Sequence, residues 1–263
     1  MGRVYTLVNQ KGGVGKTTTA INLGAYLVQF GQRVLIVDID PQANATCSLG
    51  VDKHTVKGGT YEALMGGAPA QALVLQNPRL KLAILPSSPS LAGAEVELVN
   101  ELGREVKLRQ VIAPLVDRYD YILIDCPPSL GMLTVNGLVA AQDGVLIPVQ
   151  CEYLALEGLG ELTRTIQRVR SVLFPALKMR GVILTMFDGR THLSTDVVAE
   201  VQKFFSEQVF KTIIPRSVRL AEAPSYGLPI SAYAPESNAA KSYESLALEL
   251  LSGDGIAVME SAE

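Results

Sequence analysis

Short apolar runs alternate along this chain with stretches in which apolar residues recur every three or four positions. The runs are VYTLVN (4–9), RVLIVDID (33–40), LKLAILP (80–86), YDYILIDC (119–126), GVLIPVQ (144–150), MRGVILTMF (179–187) and KTIIP (211–215). Several are continuously apolar, which predicts strands covered on both faces, as in parallel sheets. Between them, helical periodicity predicts helices over 17–30, 104–118, 133–141, 194–207 and 239–251. Leu156, Leu159, Leu162, Ile166, Val169 and Leu173 add one apolar stripe at helical spacing. Gly31 closes the first helix as a C-cap. This alternation predicts an α/β fold: a single doubly wound, mostly parallel sheet with helices on both faces. No repeat or low-complexity linker interrupts it, so one domain is expected over 1–251. The remainder, 252–263 (SGDGIAVMESAE), reads as a loose acidic tail.

Composition narrows the class. Of 263 residues, 48% are hydrophobic and 19% charged, the balance of a globular chain rather than a disordered one. Cys47, Cys126 and Cys151 are odd in number and widely spaced, which points to a reduced, cytoplasmic protein with small buried thiols. Two histidines make a His-rich metal site a poor expectation. No apolar run approaches the ~20 residues of a membrane span.

The net charge of −3 argues against general nucleic-acid binding, but its distribution does not. From Arg164 to Arg219 there are ten Lys/Arg and four Asp/Glu, a balance of +6 that leaves −9 for the rest. On count alone this is either a basic face on an acidic body or a set of scattered solvated charges.

The chemistry concentrates in NQKGGVGKTTTA, Asn9 to Ala20. A strand running into a glycine-rich turn that opens a helix is the setting of a phosphate loop. Gly12, Gly13, Val14 and Gly15 would turn backbone N–H groups towards an anion, and the helix adds its positive end. Lys16 would reach the β- and γ-phosphates, Thr17 would ligate Mg²⁺ and Thr18 would sit near the α-phosphate. The G-x-G-x-x-G alternative fails, because its third glycine falls on Thr18. Asp38 and Asp40 end the second strand, where ligands bind in such folds. YILIDCPPS ends in Asp125, a carboxylate placed to hold Mg²⁺ through water, followed by a rigid Pro127–Pro128–Ser129 loop.

The standard loop has glycine where this chain has Gln10, and Lys11 stands beside it. K-G-G-x-G-K-T-T is the deviant Walker motif, and with it the sequence resembles the ParA/MinD class of P-loop NTPases. TMFDGRTHLS (185–194), IIPRSVRLAEAPSYGLPI (214–230) and VDIDPQANAT extend the likeness over most of residues 3–251. They are similar to ParA/Soj-type chromosome or plasmid partition ATPases.

The resemblance implies ATP and Mg²⁺ as cofactors and an ATP-sandwich homodimer in which Lys11 reaches the partner's nucleotide. It implies Asp40 as the residue that positions the attacking water, with Lys11 and Lys16 completing the catalytic set. Pro215 and Ser217 match a loop that contacts adenine. Arg190 and Arg219 match arginines that hold double-stranded DNA without sequence preference, giving a nucleoid-associated protein. A ParB-like partner would stimulate an otherwise slow hydrolysis, because no arginine finger is evident. Arg164 and Arg168 either extend the DNA face or are ordinary solvated residues. The family usually has Asn where this chain has His192 and Ser217, which weakens the base contact more than the phosphate contacts. The chain starts at its first strand, so sequence-specific repression is not expected of it.

A MinD-like membrane-associated regulator is the alternative. It would need a basic amphipathic C-terminal helix, and the acidic ending favours no membrane partner. A P-loop metabolic enzyme is a third class, but no further small-molecule site stands out.

Overall fold

The computed structural model describes residues 1–257. Its strands are β1 Arg3–Leu7, β2 Val34–Asp38, β3 Leu75–Asn77, β4 Leu82–Leu85, β5 Tyr121–Asp125, β6 Gly144–Gln150 and β7 Met179–Thr185. They form one sheet in the order β3-β4-β2-β5-β1-β6-β7. All pairings are parallel except β3 with β4. The longer helices are α1 Lys16–Gln29, α5 Leu91–Glu97, α6 Lys107–Ile112, α7 Met132–Ala140, α8 Ala155–Val172, α9 His192–Phe205 and α12 Asn238–Gly253. Short helices fill the loops: α2 Asn44–Ser48, α3 Thr60–Leu64, α4 Ala70–Leu73, α10 Val218–Glu222 and α11 Ile230–Tyr233.

The sheet separates two apolar layers. On one side α1 and α12 pack Leu23, Leu27, Tyr243 and Leu250 over Tyr5, Leu7, Ile36 and Leu123. On the other, Leu91, Leu108, Ile112 and Leu133 cover Val4, Leu35, Val37 and Ile124, and α8 covers β6 and β7 with Leu159, Leu162 and Ile166. Buried strands explain why the apolar runs showed no alternation. The first helix ends as expected: Gly31, at φ +80, lets its N–H reach Val28 and the Gln32 N–H reach Leu27 in a Schellman motif.

Three expectations fail for physical reasons. Residues 211–215 are not a strand. They run beside β7 with one main-chain bond to it, Ile214 N–H to the Leu184 carbonyl at 2.9 Å, and an isolated bridge just beyond it, Phe187 with Pro215. The Lys211 and Thr212 N–H groups are taken by the Glu249 carboxylate at 2.6 and 3.0 Å, and Pro215 has no donor to extend a ladder. The helix expected over 104–118 breaks into 3₁₀ turns at Arg104–Val106 and Ala113–Leu115 around α6, with Pro114 in the second. The three-residue β3, with Leu75 exposed, was too short to show as a run.

The tail expected at 252–263 starts inside α12. Asp254 then caps that helix and is anchored, its carboxylate accepting from the Tyr5 and Tyr121 hydroxyls at 2.7 and 2.9 Å and pairing with Arg3 and Arg180. Residues 258–263 lie outside the described residues.

Candidate active site

The parallel strands all present their carboxyl ends on one edge, and the candidate residues gather there. β1 leads into the glycine-rich loop, whose Gly13 and Gly15 adopt φ +74 and +91. Only glycine takes these values without strain, and a Cβ added at Gly13 would meet nothing within 4 Å. The loop is tied at both ends. Asn9 donates to the Pro148 carbonyl and accepts the Lys11 N–H, while Thr185 at the end of β7 donates to the Val14 carbonyl at 2.8 Å.

A cavity of about 330 Å³ opens over this loop, lined by Gly12, Gly13, Gly15, Lys16, Thr17, Thr18, Asp40, Asn44 and Pro128 among others. Lys16 is buried and donates to the Lys11 carbonyl at 3.1 Å. Burial pulls its ammonium pKa down against the attraction of Asp125 and Asp40. Thr17 donates to Asp125 Oδ2 at 2.7 Å. Asp125 Oδ1 is buried without any hydrogen-bond partner. Burial first, then the charge of Asp38 alongside it in the sheet register, pushes the Asp125 carboxyl well above the usual carboxylate range. A third carboxylate, Asp40, is also buried. Three buried carboxyl groups share one buried ammonium, so their ionised forms are short of positive charge, a deficit a divalent cation would fill. The orphaned oxygen and the adjacent Thr17 hydroxyl fit Mg²⁺.

Beside this cavity lies another of about 350 Å³, lined by Gly15, Thr18, Met186, Pro215, Arg216, Ser217, Leu220 and Tyr243 among others. It is mainly apolar and shares Gly15, Thr18 and Met186 with the first. A flat apolar ring with a phosphate chain would span the two. Pro215 and Ser217, expected to contact a base, line this apolar cavity.

Sequence reasoning left Asp38 without a role. Its carboxylate accepts the Thr46 N–H and hydroxyl at 2.9 and 2.7 Å and the Asp40 N–H at 3.1 Å. Ser87, at the end of β4, donates its hydroxyl to the Asp40 carbonyl at 2.7 Å and its N–H to Thr46. Asp38, Thr46 and Ser87 thus fix the backbone that carries Asp40. The only signal was the pair of acids in VDID; the two hydroxyls come from distant segments and left none. Met186, a non-glycine at φ +53 between the two cavities, was equally invisible.

Lys11 is placed differently from Lys16. Its amine lies 3.5 Å from Glu152, and that carboxylate also pairs with Arg216 at 3.5 Å. Arg190 and Arg219 line neither cavity and sit on exposed segments leading from the walls of the apolar one.

Comparison with known proteins decides the family. A family model described as "AAA domain" matches residues 2–179. The chain is 52% identical over 254 residues to the chromosome partitioning protein ParA of Myxococcus xanthus, covering 97% of this chain and 89% of that one. It belongs to the ParA/Soj family of chromosome-partitioning ATPases. The sporulation initiation inhibitor protein Soj of Bacillus subtilis is 50% identical over 250 residues, 95% of this chain and 98% of that one. Among solved structures, a cobyrinic acid a,c-diamide synthase of Mycobacterium smegmatis with bound ATP analog and magnesium aligns with a TM-score of 0.86 at 39% identity, over 95% of this chain and 94% of that one. The doubly wound, mostly parallel P-loop fold read from the sequence is the fold of these relatives. No helix among the described residues is long and apolar enough to cross a membrane.

Proposed function

We propose that this ParA/Soj-family chain binds Mg-ATP at the carboxyl edge of its sheet, forms an ATP-sandwich homodimer and holds double-stranded DNA without sequence preference in that state. Hydrolysis is slow alone and quickened by a ParB-like partner, so the cycle serves chromosome or plasmid segregation in the nucleoid region of the cytoplasm. The observation that carries the reading is the pair of lysines. Lys16 is buried in the phosphate cavity, whereas the Lys11 amine points at the half-exposed Glu152. A lysine at this loop that does not serve its own cavity is available to a second copy.

Backbone N–H groups of Gly12 to Gly15 cradle the phosphates, Lys16 neutralises them, and Thr18 lies at the junction with the apolar cavity that takes the base. Thr17 and Asp125 hold the metal, which when bound neutralises charge developing on the phosphate oxygens. Asp40 orients the attacking water, its carboxylate lining the cavity while Asp38 and Ser87 hold its main chain. With no arginine among the described residues that line the phosphate cavity, full charge stabilisation waits for the partner's Lys11.

The synthase named above raises a metabolic alternative, but the partition proteins match at higher identity over as much of the chain. The test is size-exclusion chromatography with light scattering. The wild type should shift to a dimer with ATP and Mg²⁺ and not with ADP, and Lys11→Ala should remain a monomer. A Lys11→Ala variant that dimerises normally would overturn the trans role.

A further inference from the structure

Both arginines of the proposed DNA face are already engaged. Arg190 donates through Nε and Nη2 to the two oxygens of Asp188 at 2.8 and 2.7 Å, and its main-chain N–H bonds Oδ1 as well. Arg219 donates through Nη1 to Glu222 Oε2 at 3.1 Å, and the Tyr233 hydroxyl donates to the same oxygen at 3.0 Å. Each pair is on the surface, with the Arg190 and Arg219 side chains 86% and 61% exposed. The segments that carry them are stapled together. Phe187 bridges Pro215, the Phe187 N–H bonds the Ile214 carbonyl at 3.1 Å, and the Arg216 N–H bonds the Phe187 carbonyl at 2.9 Å. Each of these two arginines therefore has a carboxylate beside it that offsets its charge locally.

We propose that Asp188 and Glu222 are affinity-setting residues of the DNA face, each occupying its arginine where a DNA phosphate would otherwise bind. The inference rests on the DNA-binding reading above. Asp188, bound to Nε and Nη2, uses the same fork of the guanidinium that a phosphate uses, and Glu222 takes one Nη1 donor of Arg219. Exposed ion pairs are worth only about 0–1 kcal/mol, so a polyanion displaces them. The displaced carboxylate remains nearby, however, and repels each incoming phosphate. Non-specific affinity scales with the number of phosphates neutralised. Two arginines so opposed give a single protomer little hold on a duplex, and only the doubled face of a dimer accumulates enough contacts. The two carboxylates thereby sharpen the difference between one copy and two.

The experiment is fluorescence anisotropy of a labelled duplex of arbitrary sequence with the intact chain, with ATP and Mg²⁺ and without nucleotide, from about 50 to about 300 mM salt. Asp188→Asn and Glu222→Gln keep the shape of each side chain and remove its charge. The double variant should bind about tenfold tighter, with a salt slope steeper by about one to two, and should retain DNA measurably without nucleotide. Affinity equal to or below wild type would overturn the inference and show that the carboxylates merely orient their arginines. Arg190→Ala and Arg219→Ala run in parallel. If neither loses affinity, the DNA face itself is misplaced. If both lose it while the carboxylate variants gain nothing, only the present inference falls. Unchanged thermal melting of the double variant establishes that the reading concerns charge and not folding.

Discussion

The two edges of the sheet each bury an aspartate, and the two are treated oppositely. At the amino edge, Asp254 is met by two tyrosine hydroxyls and two arginines. At the carboxyl edge, Asp125 has one hydrogen bond from Thr17, an orphaned oxygen, and two further carboxylates for neighbours. A buried charge that is fully partnered holds a fold together, while one left short of partners is a place prepared for something else. Asp254 fastens the end of α12 to β1, β5 and β7, strands distant in sequence. Asp125 carries a burial penalty that a cation beside it would offset.

The largest effect should come from breaking the satisfied edge. Asp254→Ala leaves the Tyr5 and Tyr121 hydroxyls without their acceptor and Arg3 and Arg180 without their counter-ion. Removing one partner from a buried ionic cluster costs about 3–5 kcal/mol. Two of the four donors here are partly solvated arginines, which places the expected loss at the lower end, about 3 kcal/mol in denaturant unfolding. ATP turnover per folded molecule should be unchanged. A loss below about 1 kcal/mol would show that the cluster is not the anchor described.

The same kind of substitution at the other edge should act in reverse. Asp125→Asn keeps the acceptor for Thr17 and removes one of three buried carboxylates that share the single ammonium of Lys16. Nucleotide-free protein should become more stable, since burial penalises the ionised carboxyl and an amide carries no such penalty. Turnover with Mg-ATP should fall at least about 100-fold, because the metal loses its carboxylate. Calorimetry and a phosphate-release assay on the same sample check both halves. A destabilised variant would mean that Asp125 is already satisfied in the empty state.

How much of this contrast the sequence disclosed differs between the edges. The carboxyl edge was legible because phosphate chemistry demands fixed local spacing: Gly12 to Thr18 in one run, Asp40 and Asp125 each at the end of an apolar strand. The sheet was legible because buried parallel strands are unbroken apolar runs. What stayed hidden depends on contacts between distant segments. Asp254 looked like part of a loose tail, since nothing local shows that Tyr5, Tyr121 and Arg180 converge on it. Ser87 and Thr46 behind Asp40 were hidden for the same reason. KTIIP satisfied the strand pattern, but a side chain from α12 had claimed its first two donors.

The smallest effect is a pH dependence, and its sign separates the two edges in the unmodified protein. Burial pushes the Asp38 carboxyl up to about 6, against hydrogen bonds from Thr46 that pull it down, and Asp125 is raised in the same direction. A carboxyl raised above its ordinary value of 3.8 opposes folding when ionised. Its penalty is absent below that value, grows as pH rises through the interval, and is complete above about 6. Nucleotide-free protein should therefore gain about 1 kcal/mol on going from neutral pH to about pH 5, contrary to ordinary acid destabilisation. Asp188 and Asp120 are held below the usual range by Arg190 and Arg33, so their contribution is lost only at lower pH and does not mask the rise. Asp38→Asn should flatten the curve, and saturating Mg-ATP should do the same, because a cation at the site favours the ionised carboxylates that acid would protonate. A melting temperature that falls steadily from neutral pH to pH 5 in the nucleotide-free wild type would show that the carboxyl edge is not short of positive charge.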